Sequence, residues 1–337
     1  MSRRQNIGGG RARDVQAILP DLVEATGAND WVESRPPLKR RDCRIRFLRS
    51  ETFRLPEVVL KTYRSGKAAE NQAFLLFERN RSIHRGATGE HTVPEHLLFV
   101  HRANALVMEY VNAPLAGDLL IRRFHSPAER ARIIRRAARW LRWFHSLSDP
   151  AHETPDPDAL RQKMQRTRVK IQNKRPGAWE DDPFLRDCID RAAGYAAGIR
   201  DTPLLHATVH GDYTPFNLFI DGRKTCGFDY FAARRMPVHQ DICRFLLYLD
   251  IYRLRPATRA EVDACGGRRN DYETFFSAYG EDAIPPRETW LALRFIEITR
   301  RLASLSLQHS KRKGHVLRFI EKLQLRHKAR QIARILG

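Results

Sequence analysis

The chain has 337 residues, 42% hydrophobic and 29% charged, enough to bury a large core in two domains or one bilobed unit, which excludes a disordered tail. Its formal charge of +21, from 60 Lys and Arg against 39 Asp and Glu, favours anionic partners: nucleic acid, anionic lipid or a phosphorylated glycan. Five scattered cysteines without CxxC or paired-histidine spacing argue against a disulfide framework and a zinc knuckle; with no signal-peptide pattern at the N-terminus and no run near the roughly 18 apolar residues that cross a bilayer, the expected location is cytoplasmic.

Residues 1–30, rich in glycine and arginine, read as a flexible basic lead-in, with structure beginning near Trp31. Between Arg41 and Tyr63 the segments CRIRFL and EVVLKTY alternate and carry β-branched residues around a turn at Pro56, the pattern of an antiparallel hairpin. An amphipathic helix follows from Gly66 to about Arg85, with Phe74, Phe77 and Ile83 apolar and Glu70 and Glu78 acidic. Two more strands, HLLFVHR and ALVMEYV, lead to a connector near Val111 to Pro114. Ser126, Pro127 and Glu129 form a capping box that opens a helix through Ile134, Ala137, Leu141 and Phe144, with Arg130, Arg132, Arg135, Arg139 and Arg142 expected on its outer face. Residues 158–200 and 285–337 read as helical and basic. A small β-rich unit (31–111) thus precedes a larger helical one (112–337).

Inside the helical half, HATVHGDYTPFNLFID followed by CGFDYF reads as a loop, a short strand, a tight turn at Asp221 and Gly222, and a second short strand. Asp212 and Asn217, five apart, converge on one point in an extended loop, and Asp229 follows the second strand close to the same end. Two carboxylates and an amide are hard oxygen ligands that suit Mg²⁺.

The order H-x-D-x-x-x-x-N, then an aspartate seventeen residues after Asp212, resembles the protein-kinase catalytic loop and metal aspartate. HGDYTPFN and GFDYF are similar to the aminoglycoside phosphotransferase and choline kinase branch of the protein-kinase-like superfamily, and to lipopolysaccharide-core sugar kinases of the same fold. That resemblance implies an α+β, bilobed protein-kinase-like fold: a small antiparallel β-sheet lobe with one helix, then a larger, mainly helical lobe. It implies an ATP- and Mg²⁺-dependent phosphotransferase with an alcohol acceptor, in which Asp212 is the catalytic base, Asn217 and Asp229 hold the metal, and Asp241 anchors the loop. His210 is carried with Asp212 as a catalytic-loop residue that braces the loop or shares in its chemistry. Lys61 would hold the nucleotide phosphates, paired with Glu70 or, failing that, Glu78, and the backbone of Glu109 and Val111 would hold the adenine. No G-x-G-x-x-G is present; by position, residues near Leu38 to Arg46 would cover the phosphates.

The basic balance disfavours an aminoglycoside acceptor and favours an anionic one, such as a lipid-linked sugar. Basic helices at 122–145 and 300–334 suggest peripheral contact with the inner membrane surface. The alternative from another class is a non-catalytic kinase-like module that binds nucleic acid or anionic membrane.

Overall fold

The computed structural model describes residues 13–40, 43–63, 67–87, 89–122, 126–230, 234–252, 257–307 and 315–337. The chain divides into two compact units, Met1–Ala113 with Asp221–Phe228, and Pro114–Ile220 with Asp229–Gly337.

In the first unit, helix α1 (Leu19–Thr26) precedes strands β1 (Val32–Lys39), β2 (Cys43–Arg49) and β3 (Glu57–Tyr63). Helix α2 (Lys67–Gly86), the two-residue β4 (His91–Thr92), β5 (His96–Val100) and β6 (Ala105–Glu109) follow. Five strands form one antiparallel sheet in the order β1-β2-β3-β6-β5, while Thr225–Gly227 runs parallel to β4. The expected hairpin forms in full, Cys43 opposite Tyr63 and Arg49 opposite Glu57. Strand β1 is not announced by the alternation because Pro36 and Pro37 interrupt it. It lies at the sheet edge, where proline is tolerated, and its register against β2 shifts on both sides of Arg35. Leu38 to Arg46 therefore span the end of β1 and the start of β2, with residues 41 and 42 outside the described residues.

Successive strand residues point to opposite faces. Leu48, Val58, Leu60, Val100 and Val107 pack on one face with Ile18, Leu22 and Trp31. Residues 13–30 of the expected lead-in are thus part of the packed unit, while residues 1–12 lie outside the described residues. Ile18 and Leu22 are fully buried, and Gly27 (φ 72°) ends α1 in the left-handed conformation; the apolar stretch is only two turns long and is masked by its glycine- and arginine-rich neighbours. On the other face, Phe99 and Leu106 pack against Ala73 and Phe77 of α2, with Phe74, Tyr63 and Met108 at the margin. Lys61 follows Leu60 and precedes Thr62, so alternation puts it on the α2 face.

The second unit is mainly helical. Helix α3 (Pro127–Ser146) begins at the predicted capping box, Ser126 Oγ accepting the Glu129 N–H at 3.2 Å. It buries Ile134, Ala137, Leu141 and Phe144. Arg132, Arg135 and Arg139 are exposed as expected, but Arg130 is turned inward. Its Nε donates to Asp271 Oδ1 (3.0 Å) and its Nη1 to the Leu120 carbonyl (3.1 Å). The cause is periodicity: positions 130, 134, 137, 141 and 144 follow one helical stripe, and Asp271 supplies the buried counter-charge. Helices α4 (Pro157–Lys174) and α5 (Pro183–Gly198) occupy the first basic stretch. Helix α6 (His239–Ile251) follows the short strand Arg235–Pro237, and α7 (Arg259–Cys265), α8 (Arg269–Tyr279), α9 (Arg287–Ser306) and α10 (His315–Leu336) complete the unit. Among the described residues, no helix is long and apolar enough to cross a membrane.

His239 opens α6 in a buried position, its Nε2–H donating to the Ala283 carbonyl at 2.8 Å. Burial pushes its pKa down to about 4, against the partial opposition of that hydrogen bond. An unfolded histidine titrates near 6.5, so between these values the unfolded chain binds a proton that the folded chain refuses. Stability present above pH 6.5 is then lost as pH falls toward 4, by up to about 3 kcal/mol from this group. Urea midpoints at pH 7 and pH 4.5 are expected to diverge less in His239→Gln than in the wild type; equal pH slopes in the two proteins would show that His239 carries no such linkage.

Candidate active site

The strand Leu204–Thr208 runs into the HGDYTPFN loop, which closes on a 3-10 turn at Pro215–Asn217. Gly211 has φ 84°, a left-handed conformation glycine adopts without steric cost. That turn directs two consecutive N–H groups, of His210 and Gly211, onto the Asp241 carboxylate at 2.6 and 2.9 Å. Asp241 sits fully buried in the first turn of α6. There His145 Nε2–H donates to it at 3.2 Å, and Tyr279 Oη lies 2.7 Å from His145 Nδ1. Burial works to raise the Asp241 carboxyl, but the hydrogen bond from His145 and the surrounding positive charge outweigh it and hold it below the usual carboxylate range.

Aromatic packing fixes the rest of the loop. The Tyr213 ring stacks on Trp140 at 5.7 Å, and its hydroxyl donates to the Ala137 carbonyl at 2.7 Å. The His210 ring is fully buried beside Trp140, Phe144 and Tyr230, and its Nδ1 accepts the Asp212 N–H at 3.4 Å. Phe216 lies directly on Gly117, where a Cβ would stand 2.4 Å from the ring, so only glycine permits that approach.

Asp212 is left at the mouth of this scaffold with its side chain about half exposed (47%). Asn217 Nδ2 donates to the Asp212 carbonyl at 2.9 Å and to its Oδ2 at 3.3 Å. Arg244, one turn after Asp241 on α6, donates from Nη1 to Asp212 Oδ1 at 3.0 Å and to the Gly211 carbonyl. Its Nε donates to Glu297 Oε1 at 2.7 Å, and Glu297 Oε2 accepts from Arg300 at 2.7 Å. Burial raises the Asp212 carboxyl above its ordinary value; Arg244 opposes the rise, and the negative charges of Asp229 and Glu297 add to it. Lys163 donates to Gln240 Oε1 at 2.6 Å, and burial, aided by Arg300, pushes its pKa down to about 7. Asp229 is close enough to act on Asp212 electrostatically and takes a left-handed backbone conformation (φ 62°), rare outside glycine, asparagine and aspartate.

The structure thus brings together Asp212, His210, Asn217, Asp229 and Asp241. The sequence reading missed Arg244, Glu297 and His145. For Arg244 a signal existed, an arginine three residues past Asp241 and so one helical turn on, but it is hidden in a chain rich in arginine.

The remaining expected residues lie in the first unit. Lys61 is paired with Leu106 across the β3–β6 ladder, its Nζ 5.3 Å from the Tyr63 ring centroid. Helix α2 runs through Glu70, whose side chain lies outside the described residues; Glu78 is exposed. Glu109 ends β6, its N–H donating to the Glu95 carbonyl at 2.8 Å and its carboxylate accepting the Glu95 N–H at 3.0 Å. The Val111 carbonyl accepts the Ala113 N–H at 3.0 Å.

Residues 35–283 match the phosphotransferase enzyme family, about three quarters of the chain. The chain belongs to the phosphotransferase enzyme family. Its fold is similar to choline kinase from Cryptosporidium parvum Iowa II, at 10% identity over 96% of each chain and a TM-score of 0.59. It is also similar to macrolide 2′-phosphotransferase from Brachybacterium faecium, at 14% identity over 93% of this chain and 98% of that one, TM-score 0.54. An amicoumacin kinase solved with AMP-PNP, Ca²⁺ and Ami is 14% identical over 93% and 92% of the two chains, TM-score 0.59. No curated protein matches the sequence. This chain is therefore a phosphotransferase, with the mixed α+β kinase-like fold that the HGDYTPFN and GFDYF motifs imply.

Proposed function

We propose that the protein transfers the γ-phosphoryl group of ATP, with Mg²⁺, to a hydroxyl of a neutral or anionic small molecule, and that Asp212 is the catalytic base. The observation that carries this reading is the Asp212–Asn217 pair, with Asp229 near enough to act on Asp212 electrostatically. Asn217 Nδ2 is taken up by Asp212, which turns the amide oxygen away as a donor for a cation. The negative charge of Asp229 raises the cost of charging Asp212, and a divalent cation relieves that cost. Both ligands are hard oxygen donors of the kind Mg²⁺ takes alongside substrate phosphates. When bound, Mg²⁺ neutralises charge on the transferring phosphates.

Asp212 orients the acceptor hydroxyl and accepts its proton, Arg244 and Asn217 hold its carboxylate in place, and His210 and Asp241 brace the loop backbone. Lys61 would hold the nucleotide phosphates, with Glu70 as its partner. Glu70 is favoured over exposed Glu78 because positions 70, 74 and 77 continue one stripe of α2, and Phe74 and Phe77 face the sheet on the Lys61 side. For the adenine, the Glu109 N–H and the Val111 carbonyl are already bonded within the backbone. In this reading the Glu109 carbonyl and the Val111 N–H would meet the base edge. Arg244, Arg300 and Lys163 lie around the Asp212 and Glu297 carboxylates, which disfavours a polycationic aminoglycoside and supports a phosphorylated or lipid-linked sugar. Membership of an enzyme family, with every expected catalytic residue type present, leaves the non-catalytic module without an observation in its favour.

The test is thermal unfolding with ATP and Mg²⁺ together and singly. A magnesium-dependent rise in melting temperature is expected in the wild type and lost in Asp229→Ala; a ligand at a hundredfold its Kd stabilises by about 2.7 kcal/mol. No nucleotide-dependent shift at millimolar ligand would defeat the reading.

A further inference from the structure

The last helix carries two opposed faces, and only one is accounted for by the fold. Glu321, Leu325, Lys328, Ala329 and Ile332 of α10 are buried, with Glu321 paired to Arg301 of α9 and Lys328 to Asp250 of α6. On the opposite side Val316, Ile320, Leu323, His327, Arg330 and Arg334 are all exposed. Their spacing of 4, 3, 4, 3 and 4 residues keeps them on one line down the helix, about 27 Å long at 1.5 Å per residue. The first half of that line is apolar. Val316 is 70% exposed, Leu317 69%, Phe319 62%, Ile320 43% and Leu323 50%, an uninterrupted patch of a kind that soluble surfaces rarely leave in water.

The second half of the line is cationic and borders a cavity of about 350 Å³ between α5 and α10. Arg191, Arg330 and Arg334 stand around it, with Phe184, Phe295 and Ala333 supplying apolar wall. Asp187, also in the lining, is paired with Arg191 at 3.0 Å, so Arg330 and Arg334 set the sign of the site. Nearer the helix start, Lys322 and Arg326 share Asp182 at 2.9 and 2.5 Å and leave a net positive charge there too.

We infer that the outer face of α10 is a docking surface for an anionic lipid bilayer, with Val316, Phe319, Ile320 and Leu323 entering the headgroup–acyl boundary and Arg330 and Arg334 meeting lipid phosphates. An apolar stretch followed along one line by uncompensated arginines matches the two layers of a membrane interface. A second copy of the chain would instead set Arg330 and Arg334 against like charge or require an acidic strip, and the exposed line of α10 contains no Asp or Glu.

The experiment is flotation of the full chain with vesicles of phosphatidylcholine, with and without phosphatidylglycerol, together with sedimentation to read the oligomeric state. Because a protein of this charge attracts any anionic surface, the comparison rests on matched variants. Phe319→Ser with Ile320→Ser leaves the charge unchanged and is expected to weaken binding to phosphatidylglycerol vesicles about tenfold or more, most visibly near 1 M salt, where general attraction is screened. Arg330→Gln with Arg334→Gln is expected to weaken it by a similar factor at low salt, whereas Arg132→Gln with Arg135→Gln, two exposed arginines of α3, changes it less than threefold. Equal losses from the α3 and α10 arginine pairs would overturn the inference in favour of diffuse attraction. So would unchanged binding in Phe319→Ser with Ile320→Ser, equal binding to pure phosphatidylcholine, or a dimer that these substitutions dissolve without affecting vesicles.

Discussion

Asp212→Asn is expected to lower ATP turnover by roughly 10²–10⁴-fold, the range that a positioned general base contributes, while the protein melts within a few degrees of wild type. The substitution keeps the shape and one acceptor oxygen, so the loop still closes over Asn217, but an amide cannot take a proton from the attacking hydroxyl. Its pairing with Arg244 is lost, yet Arg244 keeps Glu297 and the Gly211 carbonyl. With the Asp212 side chain 47% exposed, that pair is worth no more than about 1 kcal/mol. Turnover with water as acceptor, read alongside the KM for ATP, checks this: kcat should fall while KM moves little, because Asp212 acts on the acceptor side. A variant that keeps kcat within threefold would remove Asp212 from the chemistry, and one whose KM rises in step with a modest loss of kcat would move it to nucleotide binding.

The parts of this site that were legible in the sequence are those written in short, local spacing. HGDYTPFN puts the base, the amide and the backbone turn within eight residues, and the loop geometry that joins Asp212 to Asn217 follows from five residues of extended chain. The hairpin at 43–63 was legible for the same reason, since period-two alternation survives on a half-buried sheet. What escaped was set by distant partners. Arg244 is one arginine among many until the fold places it between Asp212 and Glu297, fifty-three residues further on. Arg130 reads as solvent-facing until Asp271 makes its inward turn affordable in electrostatic terms. Strand β1 was concealed by two prolines that only an edge position admits, and α1 by a composition that looks like a tail even though Ile18 and Leu22 fill a sheet face.

The second large effect is expected at Asp241, and it is one of stability as well as turnover. Four groups meet at this fully buried carboxylate or at its partner: the N–H groups of His210 and Gly211, His145, and through His145 the Tyr279 hydroxyl. Asp241→Ala leaves the buried His210 N–H and the part-buried Gly211 N–H without acceptors and takes away the acceptor of the His145 Nε2–H. A buried polar group left without its partner costs about 1–3 kcal/mol, so the three lost bonds together cost several kcal/mol, here expected to lower the melting temperature by roughly 5–10 °C. Asp241→Asn retains one acceptor oxygen, so it satisfies one of the two N–H groups and should recover part of that loss. The loop is the element that Asp241 ties to α6, so ATP turnover in Asp241→Asn should stay well below wild type even at temperatures where circular dichroism shows the chain fully folded. If Asp241→Ala melted within 2 °C of wild type, the aromatic clamp of Trp140, Phe144 and Tyr213 would be sufficient to hold the loop, and Arg244, reaching Gly211 and Asp212 from the next turn of the same helix, would be the residue through which α6 sets the position of the base.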